Sequence, residues 1–295
     1  MKSLGHLVIQ KKFRMKIAIQ GGKASFHEIA ARNYFGTDIE VLECRSFKEL
    51  CQVLKQGKAD FAVMAIENSI AGIMLGNYSL IKEFDFKIIG EIELRIEQNL
   101  MALPGVKIED LKKVRSHYMA LLQCDEFLSK YPHLKLEEYH DTADSARDLK
   151  KNNERDVAAV ASRYAAEFYE LNILGEGIET DKKNFTKFMI LSSDKKIKVE
   201  NPEKATLSFQ LPNEVGALAN MLRIVVDNHI NLTKIQSIPI IGRQNEYTFY
   251  VECEWNKYED FKRSIEINSF VRELKILGEY KKGEVIHDYS KSKQA

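Results

Sequence analysis

The amino-acid sequence predicts an α/β protein made of two parts. Up to Leu191, short apolar runs alternate with amphipathic stretches, a pattern typical of βα units built on a mostly parallel sheet. After a polar segment, the remaining runs follow the order strand, helix, strand, strand, helix, strand, which is the ferredoxin-like βαββαβ sandwich. With 295 residues, the chain is long enough for about two domains.

The first part divides into two sets of elements joined by two long extended runs, at residues 87–95 and 98–103. Each set has the βα pattern, so we expect two α/β lobes with a cleft between them, by analogy with the periplasmic-binding-protein fold. The predicted elements of these sets are strand 16–20, helix 26–35, helix 46–57, strand 61–66, helix 73–82, helix 119–130, strand 134–139, helix 143–151, strand 157–161 and helix 162–169.

The second part begins after the polar segment, where the composition changes to short, charged and Pro-containing strings. Its predicted elements are strand 206–211, helix 215–227, strand 232–240, strand 247–254, helix 258–269 and strand 273–280. The predicted boundaries are an N-terminal extension at 1–14, a two-lobed domain at 15–192, a linker at 193–204, a small domain at 205–282 and a polar, mobile tail at 283–295.

The composition argues against several classes of protein. Lys and Arg number 44 against 43 Asp and Glu, so the overall charge favours neither a nucleic acid nor a membrane surface as a partner. No apolar run approaches the roughly 20 residues of a membrane span. The four cysteines form no CxxC pair, which argues against a zinc site or disulfide framework and favours a reducing, cytoplasmic compartment. Because the overall charge is nearly balanced, any site that binds an anion must be formed by a local group of residues.

Two strings at the ends of predicted strands favour an anion site. GGKASF, at residues 21–26, lies between a strand and a helix, where backbone N–H groups and the helix dipole attract negative charge. Its spacing matches neither a dinucleotide fingerprint nor a Walker loop, and a tight turn with Ser25 merely capping the helix is the alternative. ENS, at 67–69, lies at the end of a predicted strand, and its side chains are expected to line the carboxyl edge of the sheet, where α/β proteins place ligands. The alternative is that Asn68 and Ser69 only cap the next helix.

Three later strings carry further polar groups. SHYMALLQC, at 116–124, offers His117 as a base or as a polar cap, and we interpret Cys124 as a core residue. ASRYAA, at 161–166, puts Ser162 at a strand-to-helix junction, with Thr142 at the junction before it. NFTKF, at 184–188, combines an amide, a hydroxyl and a cation at a strand start, a set that can bind an anion and donate a proton to a departing hydroxyl.

Read together, these strings resemble the prephenate dehydratase family. ENS, SHYMALLQC, ASRYAA and NFTKF match the family's ordered strings, and the resemblance covers residues 16–191. It continues into the second part, which resembles an ACT regulatory domain, with GAL at 216–218 and INLTKI at 230–235. Because no chorismate mutase or prephenate dehydrogenase segment is recognised, the chain resembles the monofunctional form.

The resemblance implies conversion of prephenate to phenylpyruvate, with loss of carbon dioxide and water, in phenylalanine synthesis, without any cofactor. It implies Thr186 as the catalytic residue and L-phenylalanine as an allosteric inhibitor of a homodimer or homotetramer. The implied substrate-binding residues are Ser25, Asn68, Ser69, Thr142, Ser162, Asn184, Lys187 and Phe188. The implied effector-binding residues are Gly216, Ala217, Leu218, Gln236, Ser237 and Pro239.

Two departures from the family pattern affect these expectations. Lys187 replaces the usual Arg, which keeps the charge but cannot form a bidentate fork to a carboxylate. Gln236 and Ile238 replace a Glu and an Arg of the effector string, so weaker effector binding is expected. The alternatives are an arogenate dehydratase, whose substrate carries an amine in place of the keto group, and a non-catalytic amino-acid sensor. Retention of Asn184 and Thr186 disfavours the sensor.

Overall fold

A computed structural model describes residues 14–266 and 271–287 of the chain. The first lobe contains an alternating series of strands and helices, in agreement with the predicted βα pattern. Its elements are β1 (Met15–Gln20), α1 (Phe26–Phe35), β2 (Ile39–Cys44), α2 (Phe47–Lys55), β3 (Phe61–Asn68), β4 (Gly72–Ile73), α3 (Leu75–Glu83) and β5 (Lys87–Arg95).

The chain then enters a second lobe, which has its own five-stranded sheet. Its elements are β6 (Asn99–Ala102), β7 (Lys113–His117), α4 (Tyr118–Gln123), α5 (Asp125–Leu128), β8 (Lys135–Tyr139), α6 (Thr142–Asn152), β9 (Val157–Ala161), α7 (Arg163–Phe168) and β10 (Asn172–Gly175). The prediction of one helix over 119–130 was wrong, because the chain breaks at Cys124 into α4 and α5.

After the second lobe the chain returns to the first sheet and continues into the small domain, which we define as residues 204–280. The elements are β11 (Phe185–Ser192), β12 (Lys204–Gln210), α8 (Ala217–Asp227), β13 (Asn231–Pro239), β14 (Tyr247–Glu254), α9 (Tyr258–Glu266), β15 (Arg272–Tyr280) and β16 (Val285–Ile286). From β12 to β15 the order is the predicted βαββαβ, and the small sheet has the strand order β13-β14-β12-β15.

The first lobe is organised around the large sheet, whose strand order is β16-β5-β11-β3-β1-β2, with β4 beside β3. It is mixed and not mostly parallel as predicted, because β11 runs antiparallel to both of its neighbours, β3 and β5. This direction follows from the return of the chain out of the second lobe. In the strand order, β11 lies between β5 and β3 in the interior of the sheet, so its two faces point to opposite sides of the lobe.

The small sheet is also covered on both faces, but by different chemistry. Leu207, Phe209 and Val251 pack with α8 and α9 into an apolar core. The alternate residues, among them Thr206 and Glu252, are buried although they are polar. That polar face lies against the first lobe, where β15 comes close to β5. The contact between the two parts of the chain therefore combines polar and charged side chains with apolar ones, among them Tyr250 and Leu277.

Two predicted boundaries need correction. The segment 283–295 was expected to be a polar, mobile tail, but Val285 and Ile286 pair in parallel with Glu93 and Leu94 of β5. Lys204 was assigned to the linker, but it opens β12 and is buried. The N-terminal extension up to residue 13, the end of the predicted helix at 267–269 and residues 288–295 lie outside the described residues. Within the described ranges, no helix is both long and apolar enough to cross a membrane.

Candidate active site

A cavity of about 240 Å³ lies in the cleft between the two lobes. The carboxyl ends of β1 and β3 border it, as is usual for ligand sites in α/β proteins. Aromatic and aliphatic side chains form part of the lining, which we call the apolar wall, and hydroxyl, amide, imidazole and carboxyl groups form the rest. The lining residues that matter for its chemistry are Ser25, His27, Asn68, Gln98, His117, Gln123, Asp141, Thr142, Thr186 and Phe188.

A chain of side-chain amides holds the Thr186 hydroxyl at this cavity. The Nδ2 atom of Asn68 donates hydrogen bonds to Thr186 Oγ1 at 3.0 Å and to Asn184 Oδ1 at 2.7 Å. The Nδ2 atom of Asn184 donates in turn to Gln123 Oε1 at 3.0 Å. Because Thr186 Oγ1 already accepts from an amide, its own hydrogen can point toward a ligand. The predicted residues Asn68, Asn184 and Thr186 are thus brought together, although Asn68 and Thr186 are 118 residues apart in the sequence.

The apolar wall includes Phe188, which lies two residues along β11 from Thr186 and therefore on the same face of the strand. Its ring meets the imidazole of His27 edge to face, with centroids 5.0 Å apart. Burial lowers the pKa of His27 to about 3, so the ring is neutral, and its Nε2 accepts a hydrogen bond from the Ala65 amide. His27 is therefore a packing group of the cavity and not an acid at neutral pH.

Helix N-termini supply positive potential at the cavity. Ser25 caps α1 and Asp141 caps α6 through hydrogen bonds to helix N–H groups, and both residues line the cavity. Among the described residues that line it, none is a Lys or an Arg. A bound anion would therefore rely on N–H dipoles and amides. Burial raises the pKa of Asp141 above its usual range, despite the N–H groups that bind its carboxylate.

Two predicted substrate-binding residues lie outside the cavity and brace it instead. The Ser162 hydroxyl caps α7 and donates to the Ala24 carbonyl at 3.1 Å, which ties the loop before α1 to the second lobe. The Ser69 hydroxyl donates to the Lys183 carbonyl and accepts from the Phe185 amide, both at 2.9 Å. Asn184 also sits behind the lining, fully buried in the amide chain.

Lys187 does not reach the cavity at all. It follows Thr186 on β11, so its side chain leaves from the opposite face of the large sheet. There its Nζ lies 3.2 Å from Glu252 Oε2 of the small domain, and the carboxylate is almost fully buried. The expectation that Lys187 binds a substrate carboxylate is corrected by this placement: the alternation of a strand cannot direct two adjacent side chains to one face.

The predicted effector residues all lie in the small domain. Gly216 has a φ of +85° and begins α8, with Ala217 and Leu218 in the first turn. Gln236, Ser237 and Pro239 lie on β13, the edge strand of the small sheet, and the Gln236 side chain donates to the Ser237 carbonyl.

Two of the cavity residues that were not predicted carry side-chain amides. Gln123 was quoted within SHYMALLQC but was given no role, although its spacing from Ala120 on a helix would have placed it beside the cleft. Gln98 had no local signal, because it lies in an irregular turn between β5 and β6. Its side chain is 3% exposed, and among the described residues its Oε1 atom has no hydrogen-bond partner. An unpartnered buried amide in a cavity points to a ligand.

A family model for prephenate dehydratase matches residues 17–196 of the chain. The chain belongs to the prephenate dehydratase family. Its relatives include arogenate dehydratase 5 of Arabidopsis thaliana, 34% identical over 286 residues, which cover 90% of this chain and 67% of that protein. The bifunctional chorismate mutase/prephenate dehydratase of Aquifex aeolicus is 34% identical over 279 residues, which cover 94% of this chain and 75% of that protein.

Solved structures share the fold of this chain over about nine tenths of its length. The Arthrobacter aurescens enzyme, crystallised with L-Phe, has a TM-score of 0.81 at 24% identity and covers 91% of this chain and 90% of its own. GqqA, described as a novel type of quorum-quenching acylase, has a TM-score of 0.82 at 27% identity, with 91% of this chain and 98% of its own covered. These likenesses confirm the predicted fold class.

Proposed function

We propose that this chain catalyses the decarboxylating dehydration of prephenate to phenylpyruvate. The observation that carries the proposal is the Thr186 hydroxyl, which faces the interlobe cavity while Asn68 donates to its oxygen. In the reaction, the bond from the ring to its carboxylate breaks and its electron pair enters the ring. The bond to the ring hydroxyl breaks at the opposite end, and the hydroxyl takes up one proton and leaves as water.

Thr186 assists the departing hydroxyl by donating a hydrogen bond or proton to it. An unperturbed threonine is a weak acid, so its neighbours must stabilise the negative charge that develops on Oγ1. The Asn68 amide does this, since its donor is already in place 3.0 Å away. The apolar wall around Phe188 suits the other end of the ring, where a carboxylate loses its charge as carbon dioxide forms.

The helix N-termini and amides of the cavity hold what remains of the substrate. We expect Ser25 and Thr142 to bind the carboxylate and keto oxygens of the side chain, because both line the cavity at the starts of α1 and α6. Asn184 and Ser69 keep Asn68 and the turn before β11 in position. We expect no metal or organic cofactor to be needed, and dialysis against a chelator should leave turnover unchanged.

Arogenate is the second candidate substrate, because arogenate dehydratases are among the relatives at 34% identity. It differs from prephenate only in carrying an ammonium group where prephenate has a keto oxygen. An acyl-transfer reaction like that implied by the description of GqqA is less well supported here. It would require a base at the hydroxyl nucleophile, whereas the hydrogen-bond partner of Thr186 Oγ1 is an amide donor.

The test is a product assay of the purified chain with prephenate and, separately, with arogenate. The expected products are phenylpyruvate and phenylalanine, each with one carbon dioxide and one water. A mock preparation from cells that carry the empty expression vector, run in parallel, measures any contaminating dehydratase. No turnover of either substrate above that control would refute the proposed function.

We further propose that the small domain is an ACT-type regulatory module that binds L-phenylalanine and pairs two chains. Support comes from its βαββαβ order and from the exposed edge strand β13, which carries Gln236 and Ser237. The turn at Gly216 and the apolar side chains of Ala217 and Leu218 suit a carboxylate and a ring. Titration calorimetry with L-phenylalanine and sedimentation of the chain test this; no heat, no inhibition and a monomer would refute it.

A further inference from the structure

Six charged side chains form a cluster where the small sheet meets the large sheet. We call it the junction cluster; its members are Glu67, Glu91, Lys187, Lys204, Lys234 and Glu252. Three are lysines and three are glutamates, so their formal charges sum to zero. Glu252 is at the centre: its carboxylate accepts from Lys187 at 3.2 Å, Lys204 at 2.8 Å and Lys234 at 2.9 Å.

Glu252 is held as an anion although its side chain is only 1% exposed. Burial by itself would raise the pKa of its carboxyl, but the ammonium groups of Lys187, Lys234 and Lys204 lower it well below the usual range. The Tyr78 hydroxyl adds a fourth hydrogen bond to the carboxylate, at 2.7 Å. A buried carboxylate with four donors has a single geometry that satisfies it, and so it fixes the positions of the donors.

The cluster connects the two sheets strand by strand. On the central strands, Lys187 of β11 pairs with Glu252 of β14. On one side, Glu91 of β5 pairs with Lys204 of β12 at 3.0 Å. On the other side, Glu67 of β3 pairs with Lys234 of β13. Three adjacent strands of the large sheet therefore face three adjacent strands of the small sheet in one register. Apolar packing alone would not specify this register.

Two of these strands carry the catalytic groups on their other face. Thr186 precedes Lys187 on β11, and Asn68 follows Glu67 on β3. In the sheet, Thr186 lies opposite Asn68 and Lys187 lies opposite Glu67. The hydrogen bond from Asn68 to Thr186 thus joins the same two strands, β3 and β11, that the junction cluster contacts on the opposite face of the sheet. A shift of Lys187 would move the backbone of Thr186 with it.

We propose that Glu252 and Lys187 are positioning residues for Thr186. Through Lys187, the small domain holds β11 against β3 so that the Thr186 hydroxyl keeps its hydrogen bond to Asn68 and its place in the cavity. A change in the orientation of the small sheet would then change the position of the Thr186 hydroxyl. This inference rests on the proposed function, in which Thr186 assists the departing hydroxyl.

The test compares the steady-state kinetics of full-length Lys187→Met and Lys187→Arg with those of the parent chain. We expect Lys187→Met to lower kcat by about 10- to 100-fold with little change in KM, because small displacements of a catalytic group have effects of this size. Lys187→Arg, which keeps the charge, should stay within about threefold of the parent. The matched control is Lys275→Met, which removes another ion pair between the two parts, to Asp85, and should leave kcat unchanged.

The same substitution in the Thr186→Val background separates positioning from a general structural role. If Lys187 acts through Thr186, then Lys187→Met costs little further activity once the hydroxyl is gone. A loss of kcat as large in that background as in the parent would overturn the proposal. A raised KM with unchanged kcat would also overturn it and would return Lys187 to substrate binding. Unchanged kinetics in Lys187→Met would overturn it as well.

A non-cooperative thermal melt of Lys187→Met would mean that this variant does not fold properly. A second variant then takes its place in the test. Glu252→Asp keeps the charge but withdraws the carboxylate by one methylene, and the same criteria for kcat, KM and the Thr186→Val background apply to it. The proposed function is judged separately by the parent chain. If the parent converts a substrate and Thr186→Val abolishes this, but neither junction variant changes kcat, only the positioning role is refuted.

Discussion

Removal of the Thr186 hydroxyl is the change that most directly tests the chemistry. Thr186→Val replaces the hydroxyl with a methyl group of similar size and keeps the β-branched shape that suits a strand. The substitution removes one hydrogen bond, which Asn68 donates to the buried Thr186 side chain. It opens no cavity, because valine and threonine have nearly the same size. Effects on folding and on catalysis are therefore separable.

The cost to stability is small because Asn68 keeps other acceptors. Its Nδ2 still donates to Asn184 Oδ1 at 2.7 Å and to the Phe185 carbonyl at 3.2 Å. Loss of one such bond costs about 0.5–1.5 kcal/mol, and a chain stable by about 5 kcal/mol stays more than about 99% folded. The loss of catalysis is larger: a group that assists proton transfer contributes about 10²- to 10⁴-fold, or about 2.7–5.4 kcal/mol of activation free energy.

Turnover of prephenate and thermal denaturation should be measured on the same preparations. Thr186→Val is expected to lower kcat by about 10²- to 10⁴-fold with a nearly unchanged melting temperature, whereas Thr186→Ser, the matched control, retains the hydroxyl and much more activity. A valine variant as active as the parent would refute a catalytic role for the hydroxyl. A loss of activity that tracked the fraction of unfolded protein would do the same.

Three further predictions concern backbone contact, an unpaired amide and acid stability. Gly278→Ala should lower the melting temperature because its Cβ would clash with the Ile88 backbone oxygen, whereas the helical control Gly76→Ala, in open space, should raise it slightly. Gln98→Leu should stabilise the chain by about 1 kcal/mol, since it removes an unpartnered buried acceptor, yet lower kcat/KM; unchanged kinetics would mean that the amide does not contact substrate. Because the pKa of Glu252 is lowered in the folded chain, its contribution to stability is complete above about pH 5 and falls with acidification, so unfolding free energy should drop less between about pH 5 and pH 3 in Glu252→Gln than in the parent.

Local patterns in the sequence predicted most of the elements and several members of the site. The bounds of β9 and α1 agree with the predictions, because apolar periodicity and caps are properties of short segments. Asn68 and Thr142 were predicted because they lie at a strand end and a helix start, where α/β folds place ligands, whereas the role of Thr186 was implied by the resemblance to the prephenate dehydratase family. The direction of β11 and the pairing of Val285 with β5 were not predictable in this way, since both depend on partners distant in sequence.

Once residues 184–191 are predicted to form a strand, the sequence by itself determines that Thr186 and Lys187 lie on opposite faces, because side chains alternate along any strand; the expectation that both bind one substrate overlooked this. Only the tertiary structure decided which face meets the cleft and which meets the small domain. The reason is that a buried charge is stable only beside a partner, and the partner of Lys187 is Glu252, 65 residues further along the chain. No short-range pattern carries that information: the packing of the two sheets made Thr186 a cavity residue and Lys187 part of the junction cluster.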